Sequence, residues 1–119
     1  WDENGGEEKS VEELFRLIQK ADMNVTFTGG DPMLHPEGFT TLARMIKENT
    51  NKTIWCYTGY RFEDLIHHPQ QKALLEWCDV LVDSPFIWTE RDLSLPFRGS
   101  RNQRIIDVQA SLKGGIIEL

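Results

Sequence analysis

The chain has 119 residues, 39% hydrophobic and 27% charged, with a formal net charge of -6. That length suits one domain that buries a core without staples, and the composition is that of a globular rather than a disordered protein. No apolar run approaches the roughly 20 residues of a membrane helix, and the acidic balance argues against a general nucleic-acid or anionic-membrane surface.

Trp1 is no translation start, which predicts a segment before it. Trp1 to Lys9 reads as an acidic, glycine-containing loop. Ser10 with Glu13 makes a capping box, and Val11, Leu14, Leu17 and Ile18 follow at helical spacing, so a helix is expected over about 11–20. Asn24 to Thr28 is largely β-branched or aromatic and predicts a strand, closed by Gly29-Gly30-Asp31-Pro32. Phe39, Leu42, Ala43 and Ile46 predict a helix over about 37–49. The pattern then repeats: a strand at Thr53–Tyr57 closed by Thr58-Gly59-Tyr60, short helices around Phe62–Ile66 and Gln70–Trp77, and a strand at Val80–Asp83 closed by Ser84-Pro85. Residues 87–103 show no period and read as a long loop, which in a compact domain is more often functional than idle. Arg104 to Val108 predicts a fourth strand, and Ile116-Ile117 a short last one. Strands alternating with helices argue for βαβ units in a parallel sheet or partial barrel, forming one domain.

Each central strand ends in groups suited to ligand contact, and parallel topology would gather those ends on one face. Gly29 and Gly30 remove every Cβ from the first turn, and Pro32 pushes Asp31 toward extended backbone, so its carboxylate suits an ammonium or a sugar hydroxyl. A strand-to-helix turn with a polar cap would use the same residues. No lysine follows the glycines, so this is not a P-loop. Asp83 would give the pocket a second carboxylate, though aspartate is also a common turn residue. Arg98 offers a planar fork to a carboxylate or phosphate, with Gly99, Asn102 and Gln103 beside it; a solvated loop capping a strand would look alike. His35 lies just past the Asp-Pro turn, while His67 and His68 suit a surface turn before Pro69. Trp55, Trp77 and Trp88 are expected in core or interface packing. Cys56 and Cys78 have apolar surroundings and predict buried free thiols in a reducing, cytoplasmic setting. They form no Cys-x-x-Cys pair and no metal cage.

Thr28-Gly29-Gly30-Asp31-Pro32, Trp55-Cys56-Tyr57-Thr58-Gly59-Tyr60, Asp79-Val80-Leu81-Val82-Asp83 and Arg98-Gly99-Ser100-Arg101-Asn102-Gln103 follow one another in order. Together they closely resemble the activating proteins of anaerobic (class III) ribonucleoside-triphosphate reductase, radical S-adenosylmethionine enzymes, over nearly all of the chain to about Val108. The resemblance implies an α/β fold: a partial (β/α) barrel of the radical-SAM type, mostly parallel, with its first strand missing here. It implies an oxidoreductase that binds a [4Fe–4S] cluster and S-adenosyl-L-methionine, cleaves the cofactor reductively, and generates a glycyl radical on the large reductase subunit. The electron donor is not identified. By the same resemblance Gly29, Gly30 and Asp31 bind the methionine amino group, and Thr58 and Gly59 lie near the nucleoside.

Two departures stand out. The family's Cys-x3-Cys-x2-Cys loop is absent, and two isolated cysteines cannot replace three clustered thiolates. The chain (residues 1–119, a single domain) is therefore expected to be the C-terminal portion of such an activase, inactive alone, with the cluster in the parent protein only. An unpartnered first strand also predicts self-association through its edge, or cover from Trp1–Lys9. The second departure is Ser84, where relatives usually carry glycine. Alternatives are an activase of another glycyl-radical enzyme, such as pyruvate formate-lyase, and a non-catalytic partner-binding module.

Overall fold

Val25–Phe27 (β1) opens the computed structural model, which describes residues 24–27, 31–92 and 94–119. The expected helix at 11–20, the 1–9 segment and the Gly29-Gly30 turn lie outside the described residues. A 3₁₀ turn at Pro32–Leu34 leads into Pro36–Asn49 (α1). Pro36 pre-sets the first-turn φ, and Thr50 ends the helix by donating both its N–H (2.9 Å) and its hydroxyl (2.7 Å) to the Ile46 carbonyl. Ile54–Tyr57 (β2), Phe62–Leu65 (α2), Pro69–Leu75 (α3), Val80–Asp83 (β3), Arg104–Asp107 (β4) and Val108–Leu112 (α4) complete the order.

The strands form one sheet in the order β1-β2-β3-β4. The first three are parallel, as the alternation with helices predicts, and β4 is antiparallel to β3. Register places Phe27, Cys56, Leu81 and Ile106 in one row across the sheet, all buried. Against that face pack Leu42, Ala43 and Ile46 of α1, Phe62 and Leu65 of α2, Leu74 and Leu75 of α3, and Val108 of α4. Phe39 extends the row, its ring 5.1 Å from that of Phe27. Side chains alternate along a strand, so Trp55, Tyr57, Val80 and Val82 face the other way. No described helix belongs to that side of the core.

Two boundaries differ from expectation. Val108 begins a helix rather than ending β4, because the Asp107 carboxylate accepts from the Ala110 N–H (3.2 Å) and caps it. Ile116-Ile117 forms no strand of its own. A bridge between Ile106 and Glu118, with Leu119 N–H donating to the Ile105 carbonyl at 2.8 Å, lays the C-terminal residues along the outer edge of β4. Among the described strands β1 pairs only with β2, and the expectation of self-association at its other edge stands as a proposal.

The β3–β4 pairing is locked by charge. Asp83, fully buried, pairs in register with Arg104, whose Nε and Nη2 reach the two carboxylate oxygens at 3.0 and 2.5 Å. The same guanidinium binds Glu63 at 2.6 Å, tying α2 to both strands. The hydrogen bonds Arg104 donates to both carboxylates raise its pKa, and the bond Glu63 accepts from Arg104 holds that carboxyl below the ordinary 4.5. Removing one partner of a buried pair strands the other. Arg104→Met is therefore expected to lower stability by about 3–5 kcal/mol in urea unfolding, with much of the loss recovered in the Asp83→Leu/Arg104→Met double variant.

The pH dependence follows from the sign of the Glu63 shift. A carboxyl held low in the folded state stabilises above its unfolded pKa, and that contribution is lost as pH falls through the folded value. Urea unfolding of the wild-type chain should show this acid-side component below the ordinary 4.5, and Glu63→Gln should lack it.

Candidate functional site

Asp31 sits at φ -64°, ψ 116°, the extended backbone that Pro32 requires. Its carboxylate accepts from Met33 N–H (3.0 Å), capping the 3₁₀ turn as the turn reading anticipates. It also accepts from the Thr58 hydroxyl (2.8 Å) and Gly59 N–H (2.8 Å), which bridges the loop after β1 to the loop after β2. Thr58 is held in turn: its N–H donates to Val82 O (3.0 Å) and its Oγ1 accepts from Tyr60 N–H (3.1 Å). Asp31, Thr58 and Gly59 are thus brought together, and Gly29 and Gly30 lie outside the described residues.

These three residues line an open cavity of about 350 Å³ together with Tyr57, Val82, Ser84, Phe86 and Gln103. That volume lies within the usual range for small-molecule sites. Asp31 is the only charged residue among these, and no described ion pair involves it. Its partners are neutral donors, so among the described residues nothing compensates the negative charge of the cavity wall, which suits an ammonium group. Tyr57 donates its hydroxyl to the Phe97 carbonyl (2.8 Å), and burial raises its pKa, so it is a neutral donor near pH 7.

The expected second carboxylate is not in the pocket. Asp83 accepts from Arg104, from Phe62 N–H (2.8 Å) and from the Ser84 hydroxyl (3.1 Å), and it serves the sheet. His35 is exposed and away from the cavity lining, and His67 and His68 are exposed as a surface turn would have them. Trp77 packs on the core and Trp55 is half-buried, whereas Trp88 is 68% exposed and takes no part in the core.

The Arg98–Gln103 block staples a strap formed by residues 84–103. Gln103 Oε1 accepts from Gly99 N–H (2.8 Å) and Ser100 N–H (3.2 Å), while its Nε2 donates to Ser84 O (3.2 Å). Asn102 Nδ2 donates to Pro85 O (2.7 Å), and the Ser100 hydroxyl donates to Asn102 Oδ1 (2.6 Å). Arg98 donates Nη1 to Gln103 O (2.8 Å), while its buried Nε has no partner among the described residues. Gly99 is needed for packing: a Cβ there would meet the Phe86 ring at 2.9 Å. Ser84 has φ 78°, a left-handed conformation that glycine adopts without strain.

Sequence reasoning missed Tyr57, Val82 and Phe86 as lining residues, whereas Ser84, from the third strand-end group, and Gln103, from the Arg98–Gln103 block, do line the cavity. Alternation along β2 and β3 carried a signal for Tyr57 and Val82, whose side chains must oppose those of Cys56 and Leu81. The polar block announced Gln103 but not its partner, Ser84, which lies 19 residues away.

A [4Fe–4S] cluster does not fit the residues present. The sequence has two cysteines, both fully buried; Cys78 Sγ donates to Leu74 O (3.4 Å), and a hydrogen bond with Cys78 and burial push the Cys56 thiol well up. Among the described residues no group of histidine, cysteine and carboxylate side chains could hold a metal ion.

The family model described as a 4Fe-4S single cluster domain matches residues 1–106. The chain is 45% identical over 85 residues to an anaerobic ribonucleoside-triphosphate reductase-activating protein of Haemophilus influenzae, covering 68% of this chain and 53% of that protein. Proteins of the same name match from Salmonella typhi (32% over 115 residues; 87% and 71%) and Enterobacteria phage T4 (36% over 103 residues; 81% and 61%). The chain spans about half the length of the Haemophilus relative. No solved structure matches it.

Anaerobic reconstitution of this chain with iron and sulfide is expected to leave no stoichiometric cluster after desalting, by iron analysis. Both thiols should resist a thiol reagent until the chain is unfolded. A stable cluster dependent on Cys56 and Cys78 would overturn the assignment.

Proposed function

The chain belongs to the family of anaerobic ribonucleoside-triphosphate reductase-activating proteins, and from that premise we propose that it is the cofactor-binding and partner-docking portion of a radical activase. The cofactor is S-adenosylmethionine, and the target is the large, glycyl-radical subunit of that reductase. The carrying observation is the convergence of Asp31, Thr58 and Gly59 on a cavity whose described lining residues include one carboxylate and no cation.

S-Adenosylmethionine supplies, when bound, the adenosyl group through which hydrogen is taken from a glycine of the target. The residues of this chain bind and orient it. Asp31 takes the methionine ammonium, with Gly29 and Gly30 allowing close approach. Thr58 commits its hydroxyl proton to Asp31 and so fixes the carboxylate plane, leaving Gly59 beside the nucleoside. Phe86 and Val82 give that end an apolar wall. The sheet, with helices on one face and the cavity on the other, is read as a sector of a partial (β/α) barrel.

A cytoplasmic location belongs to the same reading. No described helix is long and apolar enough to cross a membrane. One observation favours a second reading, a non-catalytic partner-binding module: the two cysteines are both buried. A Cys-x3-Cys-x2-Cys loop encoded before Trp1 would support the enzyme, and its absence the module.

Calorimetric titration of S-adenosylmethionine into the parent protein tests the site. A charge-assisted bond to the ammonium contributes about 1.5–3 kcal/mol, so Asp31→Asn should weaken binding about tenfold or more. Glu48→Gln, on the exposed side of α1, should leave it unchanged. The Asn amide also turns a donor toward Met33 or Gly59, so melting temperature is read alongside. Unaltered affinity in Asp31→Asn would remove Asp31 from the proposed site.

A further inference from the structure

The strap carries an apolar surface that the core does not require and of which the cavity uses only Phe86. Phe86 is 49% exposed, Ile87 38%, Trp88 68% and Phe97 63%, all on one irregular loop. Such a cluster on a chain of this size is not ordinary surface. The Phe86 and Trp88 rings lie 6.4 Å apart, and Phe86 also lines the cavity, so the patch continues into the cavity mouth.

The patch is held rigid. The Arg91 guanidinium lies 3.9 Å over the Trp88 ring. Arg91 and Ser100 form an antiparallel bridge, Arg101 N–H donates to Glu90 O (2.9 Å), and Ile87 N–H donates to Ser100 Oγ (3.2 Å). Phe97 has φ 65°, a conformation costly for a bulky residue, yet its ring packs tilted at 52° against Trp55, 5.1 Å between centroids, and its carbonyl accepts from the Tyr57 hydroxyl. A strained, exposed aromatic pinned from below points to a function for its outer side.

Charge gives the kind of partner. From 86 to 104 the sequence holds Arg91, Arg98, Arg101 and Arg104 against Glu90 and Asp92, with no lysine, in a chain of net charge -6. Arg104 is neutralised by Asp83 and Glu63, while Arg91 and Arg101 are exposed. Arginine and aromatic residues without lysine are the composition of binding hot spots.

We propose that Phe86, Ile87, Trp88 and Phe97, with Arg91 and Arg101, form the docking surface for a protein partner that presents an acidic, extended segment beside an apolar anchor at the cavity mouth. This rests on the reading above that the parent protein acts on a protein target, and it names the face that receives it. Arginines steer and orient the acidic segment, and the aromatic side chains exclude water around the anchor.

The test measures binding of the parent protein to the large reductase subunit by calorimetry, at low and high salt. Trp88→Ala and Arg91→Glu are each expected to weaken binding at least tenfold, and raised salt to weaken the wild type. Lys72→Glu, exposed on α3, should bind as wild type. Cofactor titration of the same variants should be unchanged, which shows that they fold. Wild-type protein that fails to bind the subunit would overturn the functional reading itself. Wild-type binding that Trp88→Ala and Arg91→Glu leave intact would overturn the docking surface alone. So would tight binding of an oligonucleotide, or a dimer of this chain that Trp88→Ala dissolves.

Discussion

A carboxylate shut away from water has to find a cation or give up its charge, and Asp83 is fully buried. Arg104 meets it from the neighbouring strand, and the geometry of that pair sets much else. It fixes the β3–β4 register at Asp83 opposite Arg104, so β4 runs antiparallel where its predecessors run parallel. An antiparallel return brings residues 84 and 103 side by side at the strand ends, and the segment between them becomes a strap rather than a crossover helix. Ser84 and Gln103 then meet at 3.2 Å and form adjoining parts of the cavity wall. The pocket therefore depends on an ion pair that takes no part in lining it.

The two strand-end aspartates are treated in opposite ways. Asp83 is compensated by Arg104, and its charge does not reach the cavity. Asp31 is surrounded by an O–H and two N–H groups, which orient its oxygens without cancelling its charge. Hydrogen bonds from neutral donors stabilise an ionised carboxylate and leave a field that a bound cation can feel. Sequence position alone gives no hint of the difference, since both residues precede a proline-containing turn. What separates them is whether an arginine lies across the sheet.

Local pattern made part of this legible. Helix α1 is nearly as its apolar stripe predicts, with Leu42, Ala43 and Ile46 inward, because helix periodicity reports burial directly. The strands at Val25–Phe27, Ile54–Tyr57 and Val80–Asp83 were equally visible from β-branched and aromatic content. Strand direction was not, since Arg104–Asp107 has the same apolar content whether it runs parallel or antiparallel. The convergence of Asp31 with Thr58 and Gly59 was legible because parallel strands share one end. The pairing of Asp83 with Arg104, 21 residues apart, was not, nor was the use of the Arg98–Gln103 polar groups on their own loop. Long-range polar partners leave no period to read.

The strap shows why that polar block is so dense. An irregular segment cannot satisfy its backbone through a ladder, and every buried N–H or C=O left unpaired costs free energy. Gln103 supplies an acceptor to two N–H groups and a donor to Ser84 O, and Asn102 serves Pro85 O, so side chains replace the missing strand. Residues at positive φ each cost about 1–2 kcal/mol, and Ser84 and Phe97 are both of this kind. A loop with no task would relax by adopting glycine at these positions. This one instead keeps its exposed aromatic side chains in a fixed arrangement at the mouth of the only charged cavity wall among the described lining residues. Rigidity is what such a surface gains from its staples, because side chains already ordered in the free protein lose less entropy when a partner arrives.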